Sequence, residues 1–593
     1  MQLYQDRANS FSQQAEALQK KYNWGSFLRL FYFLGGLAML ISIGVFLNPV
    51  WLFPIGILWI LGFGAVIQWH QRLLNQKEHL ERLALVNRQE AAIAQHQFEG
   101  LDDGMRFLDP AHPNALDLDL FGPHSLFVFI SRAVTYMGKD KMANYLSAAP
   151  APLDEIRDRQ TAVLELSPPL DWRQDFQAAG AGIADSSNDW KTLQQWIHTP
   201  VVLIDKPWMK ILFWWAPFGL LAALLLGFYW EQPFLIAVLP LVPHGYFILK
   251  LQKQITAINQ QTERCGALLE RYASLIQKIE GAPFHSPKLV ALRQPFFIQN
   301  EKASKALRGL GYYVRQLNVR NNIFSIFLQL GGAWDLQYTW KLEQWKRRWG
   351  AHLSEWLDSL AEWEALISLA NLQYNHPDWA LPEVNPETGV LSVDGLGHPL
   401  IPADVRVVNQ VDIPLKGHLW LLTGSNMAGK STFLRTIGVN IVLAMAGGPV
   451  CARRMQVAPL EVFSSMRTKD DLHERTSSFM AELKRLQFVL ESVKRGPGVF
   501  FLLDEILKGT NSRDRHSGAQ ALIHQLINSE CAGIVATHDL ELTDLEQKYE
   551  GKLENWRLEV SLQDDQLIFD YKLKKGVSQS FSATQLMRQL GIL

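Results

Sequence analysis

Three cysteines among 593 residues, Cys265, Cys451 and Cys531, are too few and too dispersed to build a disulfide framework. They match no metal-ligand spacing either, and they point to a reducing compartment. The chain also lacks charge of either sign in excess, with 57 Lys plus Arg against 58 Asp plus Glu. That balance excludes polyanion binding by net charge and leaves only a local basic groove as a route to it. Internal repeats and low-complexity tracts are absent too, which removes solenoids and disordered linkers. The length allows several domains, each with its own core.

Long uncharged apolar runs are present. Residues 30–47 and 51–69 are separated by Asn-Pro-Val, and residues 211–230 and 234–249 by Glu-Gln-Pro. None of the four contains Asp, Glu, Lys or Arg, and each approaches the roughly 20 residues a helix needs to cross the hydrocarbon. Buried hairpins in a soluble core would have the same composition, so charge placement decides. Lys20, Lys21, Arg29, Arg72, Lys206, Lys210, Lys250 and Lys253 lie on the outer flanks of the pairs, and the short turns contain no cation. This is the positive-inside pattern for two hairpins. Trp51, Trp69, Trp208, Trp214 and Trp230 fall at interface depth, and Pro240 and Pro243 are expected to kink the fourth span. A cleaved signal peptide is not expected, because a polar stretch of more than 20 residues precedes the first run and a second run follows at once. The expectation is a multi-pass protein of the cytoplasmic (inner) membrane, held in the lipid bilayer by four helices, with its N-terminus and C-terminal domain in the cytoplasm.

The fold class expected is multidomain: two transmembrane helical hairpins, an all-α core or lever region, and a C-terminal α/β P-loop domain. Residues 1–26 form a polar helix, 27–70 the first hairpin, 71–205 a first helical block and 206–250 the second hairpin. Residues 251–374 form a second helical block, and 375–593 the α/β domain. The helical period of residues 70–99 extends the second span into the cytoplasm. The tryptophan-rich stretch 334–372 reads as one long helix whose tryptophans pack against other helices. "NHPDWALPEVNPETG" (375–389) is dense in turn residues and marks the boundary.

Within the last domain, "GSNMAGKS" fits G-x-x-x-x-G-K-[ST] through Gly424, Gly429, Lys430 and Ser431, between an apolar strand and a helical run. Residues Gly424, Ser425, Asn426, Met427, Ala428, Gly429, Lys430, Ser431 and Thr432 would cradle phosphates. Their backbone amides and the helix N-terminus attract the anion. Lys430 would hold the β- and γ-phosphates, and the Ser431 hydroxyl would ligate Mg²⁺. "GVFFLLDE" (498–505) is an apolar strand ending in two carboxylates. Asp504 is the second Mg²⁺ candidate, and Glu505 is placed to polarise an attacking water. A third strand, "GIVATHD" (533–539), ends at His538, a candidate γ-phosphate sensor. The cofactors expected are ATP and Mg²⁺, and the activity is Mg-dependent ATP hydrolysis.

Together these residues resemble the MutS-type DNA mismatch-repair ATPases, a branch of the ABC ATPases. The P-loop with Asn426 and Met427, "DDLHERTSSFMAEL" (470–483), "LLDEILKGTNSRD", "ATHDLEL" and the closing "YKLKKGVSQSFSATQLMRQLGI" all look like that family's motifs. Upstream, "LDLDLFGPHSLFVFISRAVTYMGKDKMANYLSAAP" and "IRDRQTAVLEL" are similar to the start of its helical core. The resemblance implies a homodimer through head-to-tail ATPase domains, with Ser477 and Ser478 reaching the partner's γ-phosphate. It also implies that Asn426 positions the catalytic water and that Tyr571 stacks on adenine. Arg406 stands where the family often has another ring. The duplex or branched DNA partner likewise follows from the resemblance alone.

Some features depart from the family. No Phe-x-Glu wedge motif occurs anywhere in the sequence, and residues 1–109 carry two spans and a helix where a mismatch-reading module is expected. The leading expectation is a membrane-anchored, dimeric MutS-like ATPase that senses DNA mismatches or other DNA structure, related to DNA repair. The alternative is an ATP-driven membrane machine or scaffold with no nucleic-acid role. An ABC transporter is disfavoured, because a Leu-Ser-Gly-Gly-Gln signature is missing and the spans are widely split.

Overall fold

A computed structural model of the chain describes residues 1–46, 51–182, 185–201, 218, 221–222, 233–321, 329, 332–425, 428–467, 478–563 and 566–578. They divide into two units, each discontinuous in sequence. One comprises Met1–Gln97, Leu170–Gly281 and Phe296–Leu353; the other comprises Phe98–Pro169, Ala282–Pro295 and Ser354–Leu593. The helical blocks read from the sequence, 71–205 and 251–374, are each shared between the two.

The first unit is helical, with one short β-hairpin, Phe297–Ile298 and Glu301–Lys302. Its outstanding elements are two very long helices, Gln2–Phe46 and Leu52–Ile93. The border expected at residue 26 does not exist, because the polar helix and the first apolar run are one 45-residue helix of about 68 Å. No proline interrupts it, and Gly25 is tolerated because the partner helix comes close: a Cβ there would lie 2.9 Å from the His70 ring. The two helices pair antiparallel. Ser12 accepts from Arg88, the Tyr22 and His70 rings stack at 4.1 Å, and Trp59 Nε1 donates to the Tyr32 carbonyl at 3.3 Å.

The two halves of this hairpin differ in what surrounds them. Near the open ends, polar residues dock on the helices Leu170–Gly180 and Cys265–Glu280. Asn87 and Gln174 exchange buried hydrogen bonds of 3.1 and 2.9 Å, and Asp175 binds His79 and Lys278. Toward the Phe46 and Leu52 ends, Phe31, Val45, Phe46, Phe53, Leu58 and Leu61 stand exposed among the described residues. Both helices are long and apolar enough to cross a membrane, with 6% and 0% of their apolar windows buried. Most of residues 211–230 lie outside the described residues. Residues 234–249 fall within a continuous helix, Pro233–Thr262, which runs through Pro240 and Pro243.

The second unit places helices around two sheets. A six-stranded sheet has the order Gln566–Lys575, Leu553–Gln563, Leu419–Thr423, Ala532–Thr537, Val499–Asp504, Glu461–Ser465. All neighbours are parallel except the first pair. The three central strands are buried at almost every position, as expected for strands covered on both faces. A four-stranded sheet, in the order Glu383–Val384, Arg454–Val457, Val390–Leu396, Asn409–Pro414, precedes and flanks the P-loop region in sequence. Helical residues from 98–169 dock directly on this domain. Asp117 accepts from the Ser464 hydroxyl at 2.7 Å and from the amides of Met466 and Arg467 at 3.2 and 3.0 Å.

The stretch 334–372 is not one helix. Trp334–Trp349 and Leu353–Asn375 are separated by a 3₁₀ turn, Gly350–His352, and the boundary between the units falls there. Its tryptophans serve packing: Trp345, Trp349, Trp356 and Trp363 are buried. Trp345 donates to the Ala306 carbonyl at 2.7 Å, and Trp356 to that of Pro295 at 2.9 Å.

Candidate functional site

The register of the central sheet builds the site. Thr537 pairs with Thr423, and Ala536 with Asp504, so three parallel strands end side by side. Their next residues are Gly424, Glu505 and His538, at the carboxyl ends where open α/β sheets hold ligands. The Glu505 amide donates to the Ala536 carbonyl at 2.9 Å, which ties two of these ends together.

After the first strand, Gly424 adopts φ 156° and Gly429 φ 96°, and helix Lys430–Ala446 begins at Lys430. A Cβ on Gly424 would meet the Leu558 carbonyl at 2.6 Å, so the loop has room for glycine alone at that point. Ala428 is buried beneath the loop. Lys430 is 5% exposed, and among the described residues its ammonium donates to backbone oxygens, Gly424 O at 2.6 Å and Ser425 O at 3.2 Å. Burial lowers its pKa, while the charges of Glu505 and Asp504 oppose that shift. A buried cation facing main-chain carbonyls suits an incoming phosphate.

The Ser431 hydroxyl donates to Asp504 Oδ2. The other carboxylate oxygen, Oδ1, is buried and has no hydrogen-bond partner among the described residues. Burial pushes the Asp504 carboxyl above its usual range, against the Ser431 hydrogen bond, and the Glu505 charge adds to the rise. A hydroxyl and a carboxylate with a free buried oxygen fit a hard divalent cation with oxygen ligands such as Mg²⁺. Glu505 sits at φ 46°, with Oε2 3.0 Å from Lys508 Nζ and Oε1 3.9 Å from His538 Nδ1. Burial acts to raise its carboxyl, but the hydrogen bond and charge of Lys508, with Lys430 and His538, hold it below its ordinary value.

Ser425, Gly429, Lys430, Ser431, Thr432, Glu505 and Tyr571 share one cavity of about 590 Å³. Its volume lies within the ~300–1,000 Å³ typical of small-ligand sites. The remaining wall is mostly apolar, with Leu396, Ile401, Val405, Val407 and Leu558, plus His398 and Asn409. Tyr571 packs against Gly429, stacks on Phe569 with centroids 5.9 Å apart, and its carbonyl accepts from Asn409 at 3.1 Å.

Arg406 does not line this cavity. Its guanidinium donates to the carbonyls of Ile401 and Pro399 and lies 5.5 Å from the Trp379 ring. Its neighbours Val405 and Val407 face the cavity instead. Asn426, Met427 and Ser477 lie outside the described residues. Ser478 opens the helix Ser478–Val493 and is not among the residues lining the cavity. Sequence reasoning missed His398, Val407 and Asn409, which come from the connection between Val390–Leu396 and Asn409–Pro414 and from the start of the latter strand, and carry no motif. It also missed Lys508, which was findable as a cation three residues after Glu505.

A strand-ending P-loop, a Ser–Asp pair and a second carboxylate beside an apolar-walled cavity define a P-loop nucleotide-binding domain. Residues 420–590 match the family profile of MutS domain V, the ATPase domain of that family. The chain is 32% identical over 251 residues to the DNA mismatch repair protein MutS of Dinoroseobacter shibae, covering 41% of this chain and 28% of that protein. It is 33% identical over 218 residues to the MutS protein of Fusobacterium nucleatum, covering 35% and 24%, and 31% identical over 240 residues to that of Sorangium cellulosum, covering 39% and 26%. The similarity therefore belongs to the C-terminal part, and the chain spans about a quarter of the length of these curated relatives.

Proposed function

We propose that the chain is a membrane-anchored, MutS-like ATPase that works as a homodimer. Nucleotide binding and hydrolysis between two ATPase domains would drive closure and opening of its helical regions. The observation that carries this reading is the convergence of Lys430, the Ser431–Asp504 pair and Glu505 on one cavity. Lys430 would leave its carbonyl partners for the β- and γ-phosphates. Ser431 and Asp504 would hold Mg²⁺, which supplies charge neutralisation at the phosphates. Glu505 would accept the proton of the attacking water, with His538 beside it near the γ-phosphate. Asn426 would help position that water, and Tyr571 would stack on the base. Ser477 and Ser478 would complete the partner protomer's site.

In this reading four helices lie in the cytoplasmic membrane, and the N-terminus and ATPase domain are cytoplasmic. The uncovered apolar ends of Gln2–Phe46 and Leu52–Ile93 support it. A nucleic-acid ligand has support beyond kinship from residues 302–334, which contain five cations (Lys302, Lys305, Arg308, Arg315, Arg320) and no acid in a chain of net charge −1. Lys305, Arg308 and Arg315 share a surface groove with Tyr312, Tyr313 and Lys341, and with Glu270, which pairs with Arg315. The reading without nucleic acid is favoured by one feature, the unbroken passage of apolar spans into the helices that dock on the rest of their unit.

Hydrolysis by detergent-solubilised protein, measured against protein concentration, tests the core of the proposal. Specific activity should rise with dimer formation, Glu505→Gln should retain ATP in a stable dimer, and Lys430→Ala should lose nucleotide binding. Full activity in a strictly monomeric protein would reject it. Retardation of branched, mismatched and plain duplexes at low salt separates the two ligand readings.

A further inference from the structure

The helix Ser478–Val493 begins within the segment 470–483, which resembles a motif of the MutS-type family, and it is tied to the catalytic edge through a residue of its second turn. Glu482 is 5% exposed, and its carboxylate accepts hydrogen bonds from the backbone amides of Leu507 and Lys508. These amides belong to a loop that doubles back sharply, with two non-glycine residues in the left-handed region, Glu505 at φ 46° and Leu507 at φ 62°. Such a loop relaxes unless its surroundings over-determine it. The loop also places Lys508 Nζ 3.0 Å from Glu505 Oε2. One residue further on, the helix's first turn packs against the loop's backbone, since a Cβ on Gly509 would lie 2.7 Å from Phe479 Cβ. Arg485 fixes the same helix to the strand Glu461–Ser465 and the segment before Asn114, donating to the carbonyls of Ser464 at 2.9 Å and His112 at 2.8 Å.

We propose that Glu482 is a positioning residue for Glu505. Its carboxylate locks the 505–508 loop to the Ser478–Val493 helix, so that the N-terminal end of this helix and the water-activating carboxylate move as one body. Whatever engages the start of the helix then sets whether Glu505 is parked on Lys508 or turned toward the γ-phosphate. This rests on the reading of Glu505 as the group that activates water, and it adds a connection between that group and a second contact surface. Arg485 makes the connection stiff, because the helix cannot pivot without breaking its bonds to residues 112 and 464.

The test uses the full chain in detergent and compares Glu482→Ala with Glu482→Gln. Alanine leaves both amides unanchored, whereas the glutamine amide oxygen accepts the same two hydrogen bonds. Glu482→Ala should lower kcat by at least about thirtyfold while KM and ATP affinity change by less than about threefold, and Glu482→Gln should recover most of the rate. Hydrogen exchange at 505–509 should accelerate in the alanine variant alone. Gly509→Ala, which pushes the loop off Phe479 without touching Glu482, should give the same kcat-selective loss should the first variant fold poorly. Equal loss of kcat and affinity, no rescue by glutamine, or unchanged exchange at 505–509 would overturn the proposal. A wild-type protein that binds ATP but never hydrolyses it would instead defeat the ATPase reading, and exchange at 505–509 would still decide the role of Glu482.

Discussion

Replacing Gly424 by alanine separates the two things a loop glycine supplies, backbone freedom and space. At φ 156° the residue lies where L side chains are strained, and its Cβ would approach the Leu558 carbonyl to 2.6 Å. Backbone oxygens on a paired strand cannot rotate aside, so the loop itself must move by several tenths of an ångström. Gly551 is the control: it also has positive φ (76°), but an added Cβ meets nothing within 4 Å. Strain alone costs about 1–2 kcal/mol at either site. At Gly424 the overlap adds a similar amount, and binding phosphate requires the displaced loop to return. We expect Gly424→Ala to lose about 2–4 kcal/mol of ATP affinity, roughly 30- to 700-fold in Kd. Gly551→Ala should lower thermal stability slightly and leave affinity unchanged. Titration with a fluorescent ATP analogue, beside thermal unfolding of each variant, gives both numbers. The reasoning is wrong if Gly424→Ala binds like wild type, or if Gly551→Ala weakens binding as much.

Other consequences concern pH, the hairpin and the basic groove. Burial, and then the Arg435 charge, hold the His398 imidazole down to about 4, from 6.5; the unfolded chain therefore binds more protons between these values, and stability present above pH 6.5 drains away as pH falls toward 4. The loss approaches about 3 kcal/mol, and His398→Asn should flatten that acid branch in urea unfolding followed through the Trp420–Trp556 stack. In the apolar hairpin, a Cβ on Gly36 would fall 1.8 Å from Trp59 Nε1, whereas Gly35 has open space. Gly36→Val should open the hairpin, shift Trp59 fluorescence and lower Tm by several degrees; Gly35→Val should do neither. If nucleic acid binds at the groove, Lys305→Glu with Arg308→Glu should weaken retardation alike for all sequences and reduce the salt slope by about 2, with ATP hydrolysis in the absence of nucleic acid unchanged.

Local chemistry explains what was readable in advance. Gly424, Gly429, Lys430 and Ser431 lie within eight consecutive residues, and Asp504 and Glu505 are adjacent, so their motif survives any tertiary arrangement. The apolar runs 30–47 and 51–69 were legible for the same reason, since each spans one helix. The long helix expected over 334–372 failed because composition did not reveal the turn at Gly350–His352. Arg406 illustrates a finer limit: one position decides which side chain enters the cavity, and Val405 and Val407 enter while Arg406 turns to Ile401 and Pro399.

By itself, then, the order of residues determined the phosphate loop, the paired carboxylates, the helical character of the N-terminal part and the apolar segments, all carried by neighbours in sequence. Only the tertiary structure decided that residues 98–169 join the P-loop domain, that His398 and Asn409 wall the cavity, and that Glu482 holds the loop after Glu505. Those pairings cross separations of 25 to 350 residues. They arise because buried polar groups must find partners wherever the packed core brings them, and no local pattern in the chain records which partner that is.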